Sequence, residues 1–340
     1  MDKKDIRNFT LEELRLELGK VSEPSYRAEQ IFHWLYKAGE GDFDNMKNLP
    51  RAFRDKFKRL YPIEKIEVLE RLESIDGVEK VLFRLSDGNC VETVLIPSGR
   101  RRTACLSTQV GCKYNCSFCA SGKMGFKRNL AVSEILGQIL FLQRELGHEI
   151  TNFVFMGMGE PFDNYENVSK AISVMNSPKA MGIAARRITI STSGVIPGIK
   201  KLRELGLQVN LSVSLHASNN ALRDKLMPIN KKYPLEELVK ACEGYISGGG
   251  RMITLEYILI KGVNDSKKDA DGLASIARRL RAKINLISFS PVLGSGFKPP
   301  LKKDVEIFKE ILDNRKINVT VRESKGRDIM AACGQLAGKS

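Results

Sequence analysis

Three cysteines fall within eight residues, Gly111-Cys112-Lys113-Tyr114-Asn115-Cys116-Ser117-Phe118-Cys119, in the spacing C-x3-C-x2-C. Thiolates packed this closely can reach three corners of a cubane iron–sulfur cluster, and the run holds no fourth cysteine for the last iron. A [4Fe-4S] cluster held this way keeps one iron open for a ligand. The same thiols can instead enter a structural zinc site, with Cys105 as fourth ligand. Of the other cysteines among the seven, Cys333 lies in Ala331-Ala332-Cys333-Gly334. Small neighbours there let a bulky partner approach, as a covalent carrier requires. Cys105 sits within a candidate strand, and Cys242 shares a helical stripe with Leu235, Leu238 and Val239, so both read as packed thiols. Cys90 has no partner in any motif.

A scaffold must hold these groups, and 340 residues with 42% hydrophobic and only 12 proline suffice for one large domain with an appendage. Thr10 to Glu13 reads as a capping box with Leu11, Leu14 and Leu18 behind it, and Ser25 to Lys37 is a second helical stretch. Residues 1–62 are therefore expected to form a small helical module. Ile63 to Ile96 alternates apolar and polar residues, with Asp76-Gly77 and Asp87-Gly88 at the turns, which predicts a β-meander linker over 63–97. From 98 to 328 strands alternate with amphipathic segments such as Val132 to Leu146, the pattern of an α/β parallel sheet or barrel. Candidate strands are Ala104–Ser107, Asn152–Met156, Arg187–Thr192, Val209–Leu215, Met252–Leu259, Ile284–Phe289 and Asn318–Arg322. Residues 329–340 follow as a tail that carries Cys333. Gly159 and Glu160 follow the second strand, Ser191 ends the third, and Ser214, Leu215 and His216 end the fourth. All fall at the carboxyl rim, where such folds bind ligands.

Charge adds a partner. The chain has 55 Lys and Arg against 40 Asp and Glu, a formal +15. Thr93 to Ser133 holds Arg100, Arg101, Arg102, Lys113, Lys123, Lys127 and Arg128 with no acid, and Asn167 to Arg203 is a second acid-free basic stretch. A third cluster comprises Arg278, Arg279, Arg281 and Lys283. Such surfaces attract polyanions, of which the phosphate backbone is the commonest. No run of about 18 apolar residues predicts a membrane span. The charged opening MDKKDIRNFTLEEL lacks an apolar leader, so a cytoplasmic, thiol-reducing location is expected.

The cysteine spacing, with an aromatic residue before the last Cys, resembles the signature of radical S-adenosylmethionine (SAM) enzymes. The surrounding CLSTQVGCKYNCSFCASGKMGFKRNL, with GMGEP at 157–161, ITISTSG at 188–194, VSLHAS at 213–218 and DIMAACGQL at 328–336, is similar to the RlmN branch of the RlmN/Cfr family, the adenine-C2 RNA methyltransferases. The resemblance implies a partial (β/α)6 TIM-like radical SAM barrel and a [4Fe-4S] cluster on Cys112, Cys116 and Cys119. It implies SAM contacts from Gly159, Glu160, Ser191, Ser214, Leu215, His216 and Ser290, the last where family members commonly carry Asn.

The implied chemistry suits its target. Carbon 2 of adenine has neither an acidic proton nor nucleophilicity, so ordinary methyl displacement fails there and a radical is required. The resemblance implies that Cys333 is methylated by one SAM molecule. A second is cleaved reductively, and the resulting radical abstracts hydrogen from the S-methyl group, whose carbon then adds to C2. Cys105 is implied to attack the Cys333 sulfur, leaving a transient disulfide, and Glu92 to accept a proton, with Cys105 as a competing base. Implied partners are an adenosine in the peptidyl transferase centre of 23S rRNA, adenosine 37 of certain tRNAs, and a flavodoxin-type external reductant; a monomer is expected. The C8-methylating sister enzymes usually have Ala after the GMGE glutamate, and Pro161 here favours C2. A reading from another class is a zinc-containing RNA-binding protein without catalysis.

Overall fold

Thr10 starts the first helix as its sequence dictates. Its hydroxyl accepts the Glu13 N–H at 3.2 Å and the Glu13 carboxylate accepts the Thr10 N–H at 2.9 Å, a reciprocal cap on the helix Leu11–Lys20. The computed structural model describes residues 4–338. Residues 1–3 and 339–340, the outer ends of the expected module and tail, lie outside the described residues. The second helical stretch is α-helical over Arg27–Phe32 and π-helical over His33–Ala38. A third helix, Arg51–Leu60, buries Phe53 and Phe57, whose rings stack at 4.2 Å. Two lysines of the second acid-free stretch bind this module to the rest of the chain, Lys170 to Glu13 and Lys179 to Glu29. That portion of the positive charge is therefore not free for a polyanion.

The strands are β1 (Glu67–Glu73), β2 (Glu79–Arg84), β3 (Cys90–Ser98), β4 (Arg101–Cys105), β5 (Gln109–Gly111), β6 (Phe126–Asn129), β7 (Asn152–Phe155), β8 (Ile188–Thr192), β9 (Asn210–Ser214), β10 (Thr254–Leu259), β11 (Lys283–Ser288) and β12 (Val319–Arg322). All but β5 and β6 join one ten-stranded sheet in the order β1-β2-β3-β4-β7-β8-β9-β10-β11-β12. The first four are antiparallel neighbours, with turns at the two Asp-Gly pairs. From β4 onward every pairing is parallel. Seven parallel strands thus form an open barrel, whose last strand adds to the six of the expected (β/α)6 core. The meander is continuous with this sheet through the β3–β4 pairing.

Helices Val132–Arg144, Tyr165–Asn176, Leu235–Ser247, Lys267–Arg279 and Lys302–Asn314 alternate with the parallel strands, each with one buried apolar face. Every residue of β10 is buried, as a strand enclosed on both faces requires. Tyr257 stacks on Phe308 of the last of these helices, with ring centroids 5.6 Å apart. Cys242 belongs to this packing, and Cys90 is buried at the start of β3. β5 and β6 form a separate antiparallel hairpin that frames the cysteine loop.

Candidate active site

The parallel strands all end on one rim, and the loops leaving that rim carry the chemistry. β4 stops at Cys105, two residues short of the expected strand end. There Ser107 N–H turns to Gln138 Oε1 at 2.9 Å, while Ser107 Oγ donates to the Glu92 carbonyl and accepts the Met158 N–H at 2.9 Å. Both Thr108 and Gln109 donate to the Met158 carbonyl, which clips the Gly157–Glu160 turn onto β5. Gly159, at φ 98°, cannot be replaced cheaply, because a Cβ there would sit 2.5 Å from Gln109 Cβ. The close approach at this glycine is first of all to the protein itself.

The cysteine loop is tied at three points. Cys112 N–H donates to the Gly125 carbonyl (3.0 Å), Ser117 N–H to the Leu226 carbonyl (3.0 Å), and Ala120 N–H to the Gly334 carbonyl of the tail (2.7 Å). Cys112, Cys116 and Cys119 all line one cavity of about 140 Å³ that opens to solvent. Burial pushes all three thiols up, Cys112 to about 12, so without a cation they keep their protons. Among the described residues no three His, Cys, Asp or Glu side chains converge on a single ion position. A cluster asks for less, one thiolate on each of three irons.

Five of the expected SAM contacts line the same cavity: Gly159, Glu160, Ser191, Ser214 and His216. Glu160 is buried, which raises its carboxyl, and it is held by Ser193 N–H and Oγ (both 2.7 Å) and Phe162 N–H (3.1 Å). His216 adopts a left-handed φ of 56°, and its Nδ1 accepts the Ile258 N–H at 3.0 Å. Burial, helped by the Arg223 charge, pushes its pKa down to about 3, so the imidazole is neutral. Its ring meets Phe118 of the cysteine loop edge-on at 4.8 Å.

The other expected residues lie elsewhere. Leu215 is buried behind the rim, and its carbonyl accepts from Arg223 Nε at 3.2 Å. Ser290 is buried, with an Oγ that makes no hydrogen bond, and it is not part of the cavity lining. Glu92 is also absent from the lining. Both its oxygens are engaged, one by Lys80 Nζ at 3.0 Å and the other by the tail N–H groups of Ala337 and Gly338. The loop, the rim serines and Cys333 are brought together; Glu92 stands outside that group.

Cys333 does line the cavity, and its accessible surface faces that space. Cys105 is buried at the end of β4; burial, then the Cys333 charge, pushes it up to about 12. Burial raises Cys333 as well. Cys105 is not part of the cavity lining shared by Cys112, Cys116 and Cys119.

Three charged residues of the site were not singled out from the sequence. Arg322, the last residue of β12, opposes its own burial through the charges of Cys333, Glu256 and Cys105, and its guanidinium is held firmly charged. Glu256 on β10 lines the cavity, with Oε1 accepting from Asn285 at 3.0 Å and Oε2 bare. Arg223, wholly buried, donates to the carbonyls of Ser193, Ser214 and Leu215 and so ties the ends of β8 and β9 together. A strand-end Arg or an acid inside an apolar strand was the available signal.

The donor set fits a cluster with SAM: three buried thiols, rim hydroxyls, and a buried carboxylate oxygen lacking a donor, all around one space. An open parallel barrel with a three-cysteine loop at its rim defines a radical SAM enzyme, and residues 106–274 match the Radical SAM superfamily. Residues 4–63 match the ribosomal RNA large subunit methyltransferase N-terminal domain. The chain is 45% identical to the dual-specificity RNA methyltransferase RlmN of Syntrophus aciditrophicus, covering 100% of this chain and 98% of that one. It is 48% identical to a probable dual-specificity RNA methyltransferase RlmN of Moorella thermoacetica, covering 98% and 96%. A crystal structure of a radical SAM methyltransferase from Sphaerobacter thermophilus superposes with a TM-score of 0.94 at 43% identity, over 99% of this chain and 100% of that one. The chain belongs to the RlmN family. Membership sets aside the zinc reading and gives [4Fe-4S] and SAM as the cofactors.

Proposed function

We propose that this enzyme methylates carbon 2 of an adenosine in folded RNA, 23S rRNA and tRNA being its substrates, with Cys333 carrying the methyl group and Cys105 releasing it. The observation that supports this most is Cys333 lining the cavity of Cys112, Cys116 and Cys119, while Cys105, buried at the end of β4, feels its charge. A cluster held by Cys112, Cys116 and Cys119 would supply a binding place for SAM and the electron for its cleavage.

The chain's own residues do the rest. Cys112, Cys116 and Cys119 would hold the cluster, and Gly159, Glu160, Ser191, Ser214 and His216 would orient SAM, with Glu256 Oε2 free to accept from a hydroxyl or ammonium group. Leu215 and Ser290 support that rim from behind in the present geometry. Arg322 favours the thiolate at Cys333, which takes the methyl group, and later at Cys105. The Cys105 thiolate attacks the Cys333 sulfur, the bond from that sulfur to the transferred carbon breaks with its electron pair left on carbon, and that carbon takes up a proton. The resulting disulfide is then reduced by an external thiol. Glu92 serves as acceptor of the C2 proton only after the tail has released its carboxylate.

The exposed Arg100 on the β3–β4 turn and Arg101 and Arg102 at the start of β4, with the helical module of residues 1–62, would contact the RNA backbone. Residues 63–97 link that module to the core at 98–328, and 329–340 form the carrier tail. Pro161 after Glu160 favours C2 over C8. A flavodoxin-type protein is the proposed electron donor, and the enzyme acts as a cytoplasmic monomer; no described helix is long and apolar enough to cross a membrane. Mass spectrometry of 23S rRNA and tRNA from a deletion strain and its complement tests this. C2-methyladenosine lost on deletion and restored by the gene is expected; C8 methylation, or no change in either RNA, would refute it.

A further inference from the structure

The tail that carries Cys333 is gripped on both sides of that residue by one pair of buried charges outside the cavity. Lys80 on β2 and Glu92 on β3 are diagonal neighbours across antiparallel strands, for Lys80 pairs with Val94 and Glu92 with Leu82. They form an ion pair at 3.0 Å and are only 9% and 7% exposed. Lys80 Nζ also donates to the Met330 carbonyl at 3.3 Å, three residues before Cys333. Glu92 Oε2 accepts the N–H groups of Ala337 at 2.8 Å and Gly338 at 3.1 Å, four and five residues after it.

A buried ion pair is weak as a stabiliser of a sheet, because desolvating both charges opposes their attraction unless further hydrogen bonds satisfy them. Here the further partners are all backbone groups of the tail. The tail has other anchors, among them Ser121 Oγ to the Leu336 carbonyl and Gln335 Nε2 to the Pro291 carbonyl at 2.8 Å. Of these contacts, the Lys80–Glu92 pair alone brackets Cys333 with charge-assisted bonds from one rigid support.

We infer that Lys80 and Glu92 are positioning residues, a clasp that seats residues 330–338 and thereby sets Cys333 in the cavity. The inference rests on the reading of Cys333 as methyl carrier. It gives Glu92 a task that precedes any proton transfer, since both its oxygens are taken while the clasp is closed.

The test uses the anaerobically reconstituted holoenzyme as wild type, Lys80→Met and Lys80→Arg. It follows backbone amide exchange over residues 330–338, the rate at which Cys333 gains a methyl group from SAM, and reductive SAM cleavage. In Lys80→Met the tail amides should exchange about 10- to 100-fold faster, the range expected for losing a hydrogen bond to a charged group. Methylation of Cys333 should slow by a similar factor while SAM cleavage persists, and Lys80→Arg should recover both. Wild-type exchange and wild-type methylation in Lys80→Met would overturn the clasp. Exchange over the helix Val132–Arg144 reports whether the variant is folded, and Glu92→Gln, which keeps the shape but not the charge, repeats the test if it is not. Failure of wild-type Cys333 to gain any methyl group would instead overturn the carrier reading, independently of the exchange result.

Discussion

Replacing Arg322 with Met removes the one cation among the described residues whose charge is felt by Cys333, Cys105 and Glu256 together. An opposite charge within about 4–6 Å lowers a thiol pKa by roughly 1–3 units. Cys105, already pushed up to about 12 by burial and then Cys333, would rise further by that amount. Its thiolate fraction at fixed pH then falls about 10- to 1,000-fold. A more basic thiolate is the better nucleophile, with a Brønsted slope of about 0.5, so roughly half of the logarithmic loss is recovered. The net expectation is that release from the RNA–protein adduct slows about 3- to 30-fold. Rapid quench on trapped adduct, followed by gel shift across a pH series, reads that rate directly. Because the Cys105 thiol ionises far above the working range in both proteins, both rates should climb with pH in parallel while the ratio between them stays constant, and Arg322→Lys should retain most of the wild-type rate. Adduct decay at the wild-type rate in Arg322→Met would refute the electrostatic reasoning, as would decay rates that do not rise with pH in either protein.

Two further outcomes follow from local geometry. Gly334 has φ 85° and a Cβ there would lie 2.9 Å from the Phe118 carbonyl oxygen, so Gly334→Ala should cost the docked tail at least about 1–2 kcal/mol and slow Cys333 methylation at least about 5- to 30-fold. Methylation at the wild-type rate would show that the tail tolerates another path past the cysteine loop. His216, depressed to about 3 by burial and then Arg223, is neutral in both folded and unfolded chains above pH 6.5, and below it the unfolded chain takes the proton first. Stability in urea titrations of cluster-free protein should therefore fall as pH drops from about 6.5 toward 4, and fall less in His216→Asn, whose Oδ1 can still accept the Ile258 N–H. An equal slope in both proteins would contradict the assignment of a buried neutral imidazole.

Local signals proved readable wherever one short segment decides the outcome. Thr10 and Glu13 cap their own helix, the two Asp-Gly pairs turn their own hairpins, and each of the seven candidate strands of the barrel overlaps an observed one. Cys112, Cys116 and Cys119 share a loop by covalent adjacency, so their grouping needed no tertiary information. What escaped depends on contacts between distant segments. Glu92 read as an isolated polar residue on a meander strand, yet its partners are Lys80 and amides about 245 residues away. Arg322 and Glu256 are single charges inside strand patterns, and only the parallel register that aligns strand ends turns them toward Cys333. The β5–β6 hairpin is too short, and too broken by the cysteine loop between its arms, to show an alternating pattern.

Because Val94 of β3 pairs with Cys105 of β4 within one unbroken sheet, the molecule has no hinge between its meander and its barrel. Lys80, Glu92 and Cys105 belong to a single rigid anchor. Motion during turnover is then left to the segment beyond Arg322, in which Cys333 is eleven residues along. Its first part is pinned by Ser324 Oγ on the Ser288 carbonyl, Lys325 Nζ on the Pro97 carbonyl, Gly326 N–H on Asp76 and Ser74 Oγ on Asp328, so the tether to Cys333 begins after Asp328 and reaches about 16–18 Å when fully extended. With Cys333 in the proposed role of methyl carrier, the delivery range is a matter of tether length, and lengthening or shortening residues 329–332 would change the stroke without touching the chemistry at either end.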